Sequence, residues 1–385
     1  MTPGARMAAA IAVLDKVQAG QPAEVALTNW GRASRYAGSG DRAAVRDIVF
    51  DVLRQKRSCA ALGGAETGRG LVLGWARKAG QMALCDGQGH APAPAAADEA
   101  GQAPQGNPAL DCPDWLEPLL RAGLGADFEA VMKAMQLRAP VFLRANLARV
   151  TREVAAQALL DAGVETVAHP LASSALEVRA GARRVQATAA YLEGLVELQD
   201  AASQAVVEML PLQDGMAVLD MCAGGGGKTL AMAARARLRL FAHDAERRRM
   251  GDLPLRAERA GAAVLIVDNP LTTAPYDLIL TDVPCSGSGS WRRDPEGKWA
   301  LTPARLETLL AVQAEIMDLA AGMVKPGGVL GYATCSMIEA ENGAQVSAFL
   351  ARHAGWELEA ERRFTPLEGG DGFYGAVLRR STGAH

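Results

Sequence analysis

The chain has 385 residues, of which 49% are hydrophobic and 22% charged, and its formal net charge is −3. A chain of this length is expected to form two or three domains, and its hydrophobic share is enough to bury a sizeable core. Only 5% of the residues are aromatic, which argues against an aromatic stacking surface as the main means of binding nucleic acid.

The sequence indicates neither a membrane protein nor a metalloprotein. No apolar run approaches the ~20 residues of a membrane span, and the N-terminus lacks the pattern of a secretory signal. The cysteines contain no CxxC pair and the histidines stand alone, which argues against a zinc site and a disulfide framework. We therefore expect a cytoplasmic monomer that binds no metal and no membrane.

Residues 1–136 predict a helical domain. The pattern is helical from Ala5 to about Lys78, and Asp41 can cap a helix with one apolar face, formed by Val45, Ile48, Val49, Val52 and Leu53. Residues 1–80 carry twelve Lys or Arg against six Asp or Glu, which favours a polyanionic partner. Residues 86–113 are rich in Ala, Pro, Gly and Gln, the composition of a flexible segment.

The rest of the chain predicts an α/β protein in two parts. Residues 137–199 contain a strand near Val141, a helix opened by Thr151 and further short strands, and we interpret them as a small α+β connector. From residue 200 to 385, short apolar strands alternate with helices, as in a wound parallel sheet. Lys325-Pro326-Gly327-Gly328 predicts a turn into the last strand of this series.

A glycine-rich turn, Cys222 to Thr229, lies between the first strand and helix of the wound sheet. Such glycines let the backbone approach a ligand closely. Its ending, Gly-Lys-Thr, is compatible with a phosphate-binding GxxxxGK[ST] loop, but that pattern requires glycine where Cys222 stands. Asp244, Asp268 and Asp282 end the next three strands. A carboxylate after the second strand can bind a ribose diol, so we predict a nucleoside cofactor.

Two cysteines also follow strands. Cys285 lies in the stretch Thr281 to Gly287, and Cys335 lies in Tyr332-Ala333-Thr334-Cys335-Ser336. Because ligands bind outside the carboxyl ends of parallel strands, both thiols are candidates for one site. The alternative is that one of them only packs at a strand end, since free cysteine is commonly buried.

Several of these segments carry a family resemblance: Cys222 to Thr229, Asp282 to Gly287, Arg292 to Pro295, Lys298-Trp299, Ala333 to Ser336, and Glu341-Asn342. Together they resemble the Sun/Nop-type RNA (cytosine-5) methyltransferases, and within that family the bacterial ribosomal RNA enzymes with a NusB-like N-terminal domain. Further segments are similar to the RNA-facing segment of the family (Arg144 to Asn146), its entry helix (Gln199 to Gln204), its closing strand (Asp371 to Tyr374) and, less specifically, its NusB-like part (Asp41 to Ala43 with Val52 to Arg54).

The resemblance implies a Rossmann-like catalytic domain preceded by the connector and an all-α NusB-like RNA-binding domain. It also implies S-adenosylmethionine as cofactor and RNA, most specifically ribosomal RNA, as partner. The cofactor loop would comprise Cys222, Ala223, Gly224, Gly225, Gly226, Gly227 and Lys228. Asp244 would hold the ribose, Asp268 would lie by the adenine, and Asp282 would border cofactor and base.

The chain departs from the family pattern in two places. The family loop usually reads CAAPGGKT, whereas Gly224 and Gly225 replace its second alanine and its proline. The additional glycines predict a more flexible loop. Pro254 is also predicted to interrupt the helix that follows Asp244.

The resemblance assigns different tasks to the two thiols. A thiolate that adds to carbon 6 of cytosine converts the ring into an enamine, which can accept a methyl group at carbon 5. DNA cytosine-5 methyltransferases attack with the cysteine of a Pro-Cys motif, which by analogy would be Cys285. In the RNA family the Thr-Cys motif supplies the nucleophile. We therefore predict attack by Cys335, release assisted by Cys285, and protonation of the base assisted by Asp282.

Other interpretations stay open at this point. The altered loop is compatible with a catalytically silent RNA-binding or ribosome-assembly protein, and a methyltransferase of another substrate would share the sheet and the loop. Lys298 and the pair Arg292-Arg293 could meet RNA phosphates, or could be ordinary surface residues.

Overall fold

We analysed a computed structural model, which describes residues 1–382. In this part of the chain the α-helices are α1 Pro3–Gln18, α2 Ala23–Ala33, α3 Ser39–Arg54, α4 Lys56–Gly63, α5 Gly68–Lys78, α6 Glu117–Leu124, α7 Phe128–Met135, α8 Arg152–Asp161, α9 Ala189–Leu192, α10 Ala201–Glu208, α11 Gly227–Ala233, α12 Leu253–Ala260, α13 Pro295–Ala300, α14 Pro303–Met323 and α15 Gly343–Arg352. The strands are β1 Val141–Ala145, β2 Glu165–Ala168, β3 Ala175–Ala180, β4 Val196–Leu198, β5 Ala217–Asp220, β6 Arg239–Ala242, β7 Val264–Ile266, β8 Tyr276–Asp282, β9 Val324–Thr334, β10 Trp356–Phe364 and β11 Phe373–Arg380. No helix of residues 1–382 has the length and apolar character needed to cross a lipid bilayer.

The contacts within the chain define two compact units. The first comprises Met1–Arg138 together with Trp291–Ala300, and the second comprises Ala139–Ser290 with the described residues from Leu301 onward. The predicted connector, residues 137–199, is therefore grouped with the wound sheet. The reason is a shared core, in which Phe142 of β1 and Ala175 of β3 pack with Val206 of α10 and Val218 of β5.

The first unit is helical, as predicted for residues 5–78. Its core joins the apolar faces of α1 to α5, and the apolar residues predicted for α3, from Val45 to Leu53, are all buried. Asp41 does not cap α3 from outside, because the helix already begins at Ser39. Asp41 instead occupies the third helical position, where its carboxylate accepts hydrogen bonds from the backbone N–H of Gly38 and from Arg6.

The segment Trp291–Ala300 belongs to the helical unit although the wound sheet precedes and follows it in sequence. Lys298 is 2% exposed and donates to the carbonyl of Arg54, while the Trp299 indole donates to the carbonyl of Leu53 over 2.7 Å. Arg292 is 5% exposed. The interpretation of Lys298 and Arg292 as phosphate contacts is therefore wrong, because both side chains are buried and RNA cannot reach them. Arg293, by contrast, is exposed.

Residues 86–113 contain one short 3₁₀ helix, Ala97–Glu99. The end of the segment is anchored, because Leu110, Asp111 and Cys112 are buried. Asp111 accepts hydrogen bonds from the backbone N–H and the hydroxyl of Ser58. The flexibility of the remainder stays a prediction.

The second unit contains two sheets. The connector sheet is antiparallel with strand order β2-β3-β1-β4, and the larger sheet has the order β10-β11-β9-β8-β5-β6-β7. In the larger sheet β5 to β9 run parallel, while β10 and β11 are antiparallel at one edge. This is a Rossmann-like sheet and confirms the predicted α/β class. The predicted turn at Lys325 to Gly328 is a bulge within β9, where the pairing with β8 passes from Val324 directly to Val329.

Candidate active site

The predicted site residues follow strands that run in the same direction. Strands β5, β6, β8 and β9 are mutually parallel and adjacent in the sheet. Their carboxyl ends therefore share one edge. The glycine-rich turn follows β5, Asp244 follows β6, Asp282 ends β8, and Cys335 follows β9. The central residues of β5, β8 and β9 are apolar and buried, as expected for strands covered on both faces, whereas β6 begins with the exposed Arg239.

The turn after β5 is held by Asp244. Its Oδ2 accepts the backbone N–H of Gly224 over 2.9 Å, and its Oδ1 accepts that of Glu246 over 2.9 Å. Gly224 and Gly226 have φ angles of +49° and +81°, in the region that favours glycine. A Cβ on Gly226 would lie 2.2 Å from Cδ1 of Leu253. The turn thus has a defined shape that depends on glycine.

Two arginines bind carbonyl groups of the same turn. Arg144 is buried and donates to the carbonyl of Gly227 over 2.7 Å, and Arg256 donates to that of Gly225. Arg144 belongs to the segment predicted to face RNA, and that prediction is wrong for its side chain. Asn146 is also buried and donates to the carbonyls of Gly194 and Ala260. The signal for the role of Arg144 is an arginine within an apolar strand.

Pro254 does not interrupt the helix after Asp244. It occupies the first turn of α12, which begins at Leu253. Proline is tolerated there because its missing N–H would have no partner within the helix. The second departure from the family pattern therefore leaves α12 intact.

Cys222 is a poor candidate for a nucleophile. Burial, together with the charges of Asp220 and Asp282, raises the pKa of its thiol. Asp220 is itself buried and accepts a hydrogen bond from the hydroxyl of Thr229 over 2.6 Å. Burial raises the pKa of Asp220 to about 7. The hydrogen bond between Thr229 and Asp220 thus ties the end of the turn to β5.

Lys228 connects the turn to β8. Its ammonium group lies 2.7 Å from Oδ2 of Asp282 and 4.9 Å from the ring centroid of Phe373. The lysine is 8% exposed. Burial lowers its pKa, but the charge and hydrogen bond of Asp282 outweigh burial, so the net effect is a raised pKa. Lys228 is therefore a fixed positive charge at this edge of the sheet.

The two predicted catalytic thiols are neighbours. Sγ of Cys285 and Sγ of Cys335 lie 3.3 Å apart. The hydrogen bond from Cys285 lowers the pKa of Cys335, with a further contribution from Lys228, whereas burial and the charge of Asp282 oppose this effect. The pKa of Cys285 is raised well above its ordinary value, mainly by this same hydrogen bond and secondly by burial. The pair favours a thiolate at Cys335 with Cys285 as its donor.

Asp268 differs from the other predicted residues. Its side chain is 80% exposed and forms an ion pair with Arg247. Asp282, by contrast, is 30% exposed, and the side chain of Asp244 is 4% exposed. The structure thus brings together the glycine-rich turn, Lys228, Asp244, Asp282 and both thiols. Among residues 1–382 no three His, Cys, Asp or Glu side chains are grouped as metal ligands would be.

Comparison with known families gives two matches. The profile described as "16S rRNA methyltransferase RsmB/F" matches residues 207–378. The profile described as "Methyltr_RsmF/B-like, ferredoxin-like domain" matches residues 112–186. The second match overlaps the predicted connector, and the first covers most of the larger sheet.

The chain is similar to curated proteins named "Ribosomal RNA small subunit methyltransferase B". That of Serratia proteamaculans is 34% identical over 282 residues, which are 69% of this chain and 66% of that protein. That of Vibrio vulnificus is 34% identical over 281 residues, with the same coverage. The matched part is thus just under two thirds of the length of these relatives.

Two crystal structures share the fold. The protein PH0851 superposes with a TM-score of 0.77 at 21% identity over 99% of each chain. A "Methyltransferase Homolog Protein" from Pyrococcus horikoshii has a TM-score of 0.62 at 22% identity, covering 70% of this chain and 96% of its own.

Proposed function

This chain belongs to the RsmB/F family of 16S rRNA methyltransferases, and from that premise we propose that it forms 5-methylcytosine in small-subunit ribosomal RNA. The cofactor is S-adenosylmethionine. The proposal includes a covalent bond between Cys335 and carbon 6 of the target cytosine. The target base has to be unpaired or flipped out, because a thiol cannot reach carbon 6 within a stacked helix.

The observation that supports this reaction best is the 3.3 Å separation of the Cys285 and Cys335 sulfur atoms. A methyltransferase acting by direct displacement needs no thiol, and two adjacent thiols suit a reaction with a covalent step and a release step. Lys228 and Asp282 lie beside them on the same sheet edge and supply one charge of each sign.

The glycine-rich turn and Asp244 fit the cofactor. Oδ2 of Asp244 accepts the backbone N–H of Gly224 and forms an ion pair with Arg249, whereas Oδ1 accepts only the backbone N–H of Glu246. Oδ1 therefore retains a lone pair that can accept a hydrogen bond from a ribose hydroxyl. The turn has no Cβ atoms from Gly224 to Gly227, and Gly225 is exposed, which permits close approach of a ligand. When bound, the cofactor supplies an electrophilic methyl group on a sulfonium.

The residues of the chain would act in two stages. In the first, the Cys335 thiolate adds to carbon 6 while Asp282 assists protonation at ring nitrogen 3, so that carbon 5 becomes nucleophilic and accepts the methyl group. In the second, a base removes the proton from carbon 5, and the bond between carbon 6 and the Cys335 sulfur breaks as the ring recovers its double bond. Cys285 assists this release, and its raised pKa keeps it protonated at neutral pH.

Replacement of each thiol tests the proposal. Cys335→Ala is expected to abolish methylation and to form no protein–RNA adduct, whereas Cys285→Ala is expected to accumulate the adduct on a denaturing gel. Cys85→Ala serves as the control, because Cys85 lies in the helical unit. An adduct with Cys335→Ala but not with Cys285→Ala would move the nucleophile to Cys285.

The substrate is tested separately. Bisulfite mapping of ribosomal RNA from cells with and without the gene is expected to show one cytosine whose protection depends on the gene. If the purified chain did not bind S-adenosylmethionine, the proposed enzymatic activity would be contradicted. That result would favour an RNA-binding or ribosome-assembly role instead.

A further inference from the structure

Glu341 is a buried acid that binds both cysteine-bearing loops. It ends a short 3₁₀ helix, Glu339–Glu341, and is 0% exposed. Its Oε1 accepts the backbone N–H of Ser286 over 2.8 Å, and its Oε2 accepts the hydroxyl of Ser336 over 2.5 Å. Ser286 follows Cys285 and Ser336 follows Cys335. One carboxylate therefore joins the residues next to the two thiols.

Further hydrogen bonds complete this connection. The hydroxyl of Ser286 donates to Oε2 of Glu341 over 2.5 Å and lies 3.2 Å from that of Ser336. Gln313 of α14 donates to Oε1 of Glu341 and to the carbonyl of Pro284, each over 3.0 Å. The Cys285 loop is thus held on both sides of the cysteine, at Pro284 and at Ser286.

The Cys335 loop is also held on both sides. The hydroxyl of Thr334 donates to Oδ1 of Asn342 over 2.6 Å, and Nδ2 of Asn342 donates to the carbonyl of Ser336 over 3.0 Å. The backbone carbonyl of Glu341 accepts the hydroxyl of Tyr332 over 2.6 Å. Glu341 and Asn342 therefore fix the end of β9 from which Cys335 projects.

A carboxylate suits this position better than other side chains of its size. Four donors converge on the two oxygens of Glu341. An ionised carboxylate only accepts, whereas an amide would present an N–H₂ group to some of these donors. A buried charge is costly unless it is hydrogen-bonded, and hydrogen bonds to charged groups are the strong ones. Since Glu341 is fully buried, it does not touch the RNA itself.

We propose that Glu341 is the positioning residue that sets the separation and orientation of the Cys285 and Cys335 thiols. This inference rests on the proposed function, because it assigns to Glu341 the alignment of the attacking and the releasing thiol. Misplacement of a reacting group by about 1 Å can cost about 100-fold in rate. The charge of Glu341 also contributes to the raised pKa of Cys285, which favours the protonated form of that thiol.

The separation of the thiols can be measured without RNA. Diamide oxidises two adjacent thiols to a disulfide: the two sulfur atoms bond, and the two hydrogens reduce the diazene to a hydrazine. We expect diamide to join Cys285 and Cys335 in the wild-type chain, as detected by mass spectrometry of the linked peptides. In Glu341→Gln the cross-linking should be at least about tenfold slower, since the rate depends on the approach of the sulfur atoms.

Glu339→Gln is the matched control. Glu339 lies on the same 3₁₀ helix, and its carboxylate forms an ion pair with Arg363. The same chemical change two residues away should leave cross-linking and methylation within about twofold of the wild-type rates. Equal slowing in both variants would indicate a general disturbance of the helix and would overturn the proposal.

Turnover gives a second measurement. Glu341→Gln should lower kcat at least about tenfold while the affinity for S-adenosylmethionine stays within about twofold, because Glu341 contacts the thiol loops. If Glu341→Gln does not fold, Ser286→Ala and Ser336→Ala each remove one hydroxyl that donates to Glu341 and should slow cross-linking likewise. Unchanged cross-linking in these variants, or in Glu341→Gln, would overturn the proposal. Altered cross-linking in a chain whose wild type never methylates RNA would instead contradict the proposed function alone.

Discussion

The ammonium group of Lys228 lies 2.7 Å from Oδ2 of Asp282, and this ion pair joins the glycine-rich turn to the strand that leads to Cys285. The two charges act in opposite directions on Cys335. Lys228 lowers the pKa of the Cys335 thiol, and Asp282 raises it. One pair thus connects the expected cofactor loop to the reactivity of a thiol.

The first prediction concerns this pair. Lys228→Met should raise the pKa of Cys335 and Asp282→Asn should lower it, because each variant removes one of the two opposing charges. Because the thiolate is the reactive form, the rate of Cys335 alkylation by iodoacetamide should rise at higher pH in Lys228→Met and at lower pH in Asp282→Asn. Peptide mass spectrometry over a pH series measures this rate. Shifts of both variants in the same direction would contradict the assignment.

The second prediction compares two acids at neighbouring strand ends. Asp244→Asn places an amide against the backbone N–H of Gly224 or Glu246, and S-adenosylmethionine binding should weaken about tenfold, or ~1.4 kcal/mol. Asp268→Asn should change the affinity by no more than about twofold, because an exposed charge contributes little. Isothermal titration calorimetry of the two variants provides the comparison. A larger loss for Asp268→Asn would place the ligand nearer to β7.

The third prediction concerns the glycines of the turn. Gly226→Ala forces a left-handed backbone conformation, which costs about 1–2 kcal/mol, and its Cβ would also clash with Leu253. A Cβ on Gly225 would instead approach Nη1 of Arg256 at 2.9 Å, and the end of that side chain can move. Thermal denaturation should therefore show a clear loss of stability for Gly226→Ala and little change for Gly225→Ala. Equal effects would indicate that the turn adopts a different conformation.

The fourth prediction concerns the buried Lys298. Burial lowers the pKa of Lys298 from 10.5 to about 8. Between these two values the unfolded chain retains a proton that the folded chain has lost, so the stability contributed by this group increases with pH across that window and is constant below it. Lys298→Met should lack this increase. Five of the six tryptophans lie in the helical unit, so denaturation followed by tryptophan fluorescence reports mainly on that unit. A parallel increase in the variant would assign it to another group.

The sequence predicted most of the elements that carry the site. Alternating apolar runs and turn residues identified β5, β6, β8 and β9, because buried parallel strands are short and continuously apolar. The residues after these strands could then be placed at one edge, and the structure brings Cys285 and Cys335 together there. Their chemical roles stay predictions.

Other features could not be predicted, because they depend on contacts between distant residues. Arg144 binds a carbonyl 83 positions away in sequence, and no local pattern specifies that partner. Glu341 lies in a family-like motif, but its four hydrogen-bond donors come from three separate segments. The placement of Trp291–Ala300 in the helical unit follows from tertiary packing that the apolar pattern of the segment does not encode.

The segment Trp291–Ala300 has a consequence for the modularity of the gene. The helical unit includes ten residues that are encoded in the middle of the methyltransferase sequence, shortly after Cys285. Deletion of residues 1–138 would remove the α3 carbonyl groups to which Lys298, 2% exposed, and Trp299 donate hydrogen bonds. The two units therefore cannot be exchanged by recombination at a single boundary, and the helical unit and this segment are expected to be inherited together.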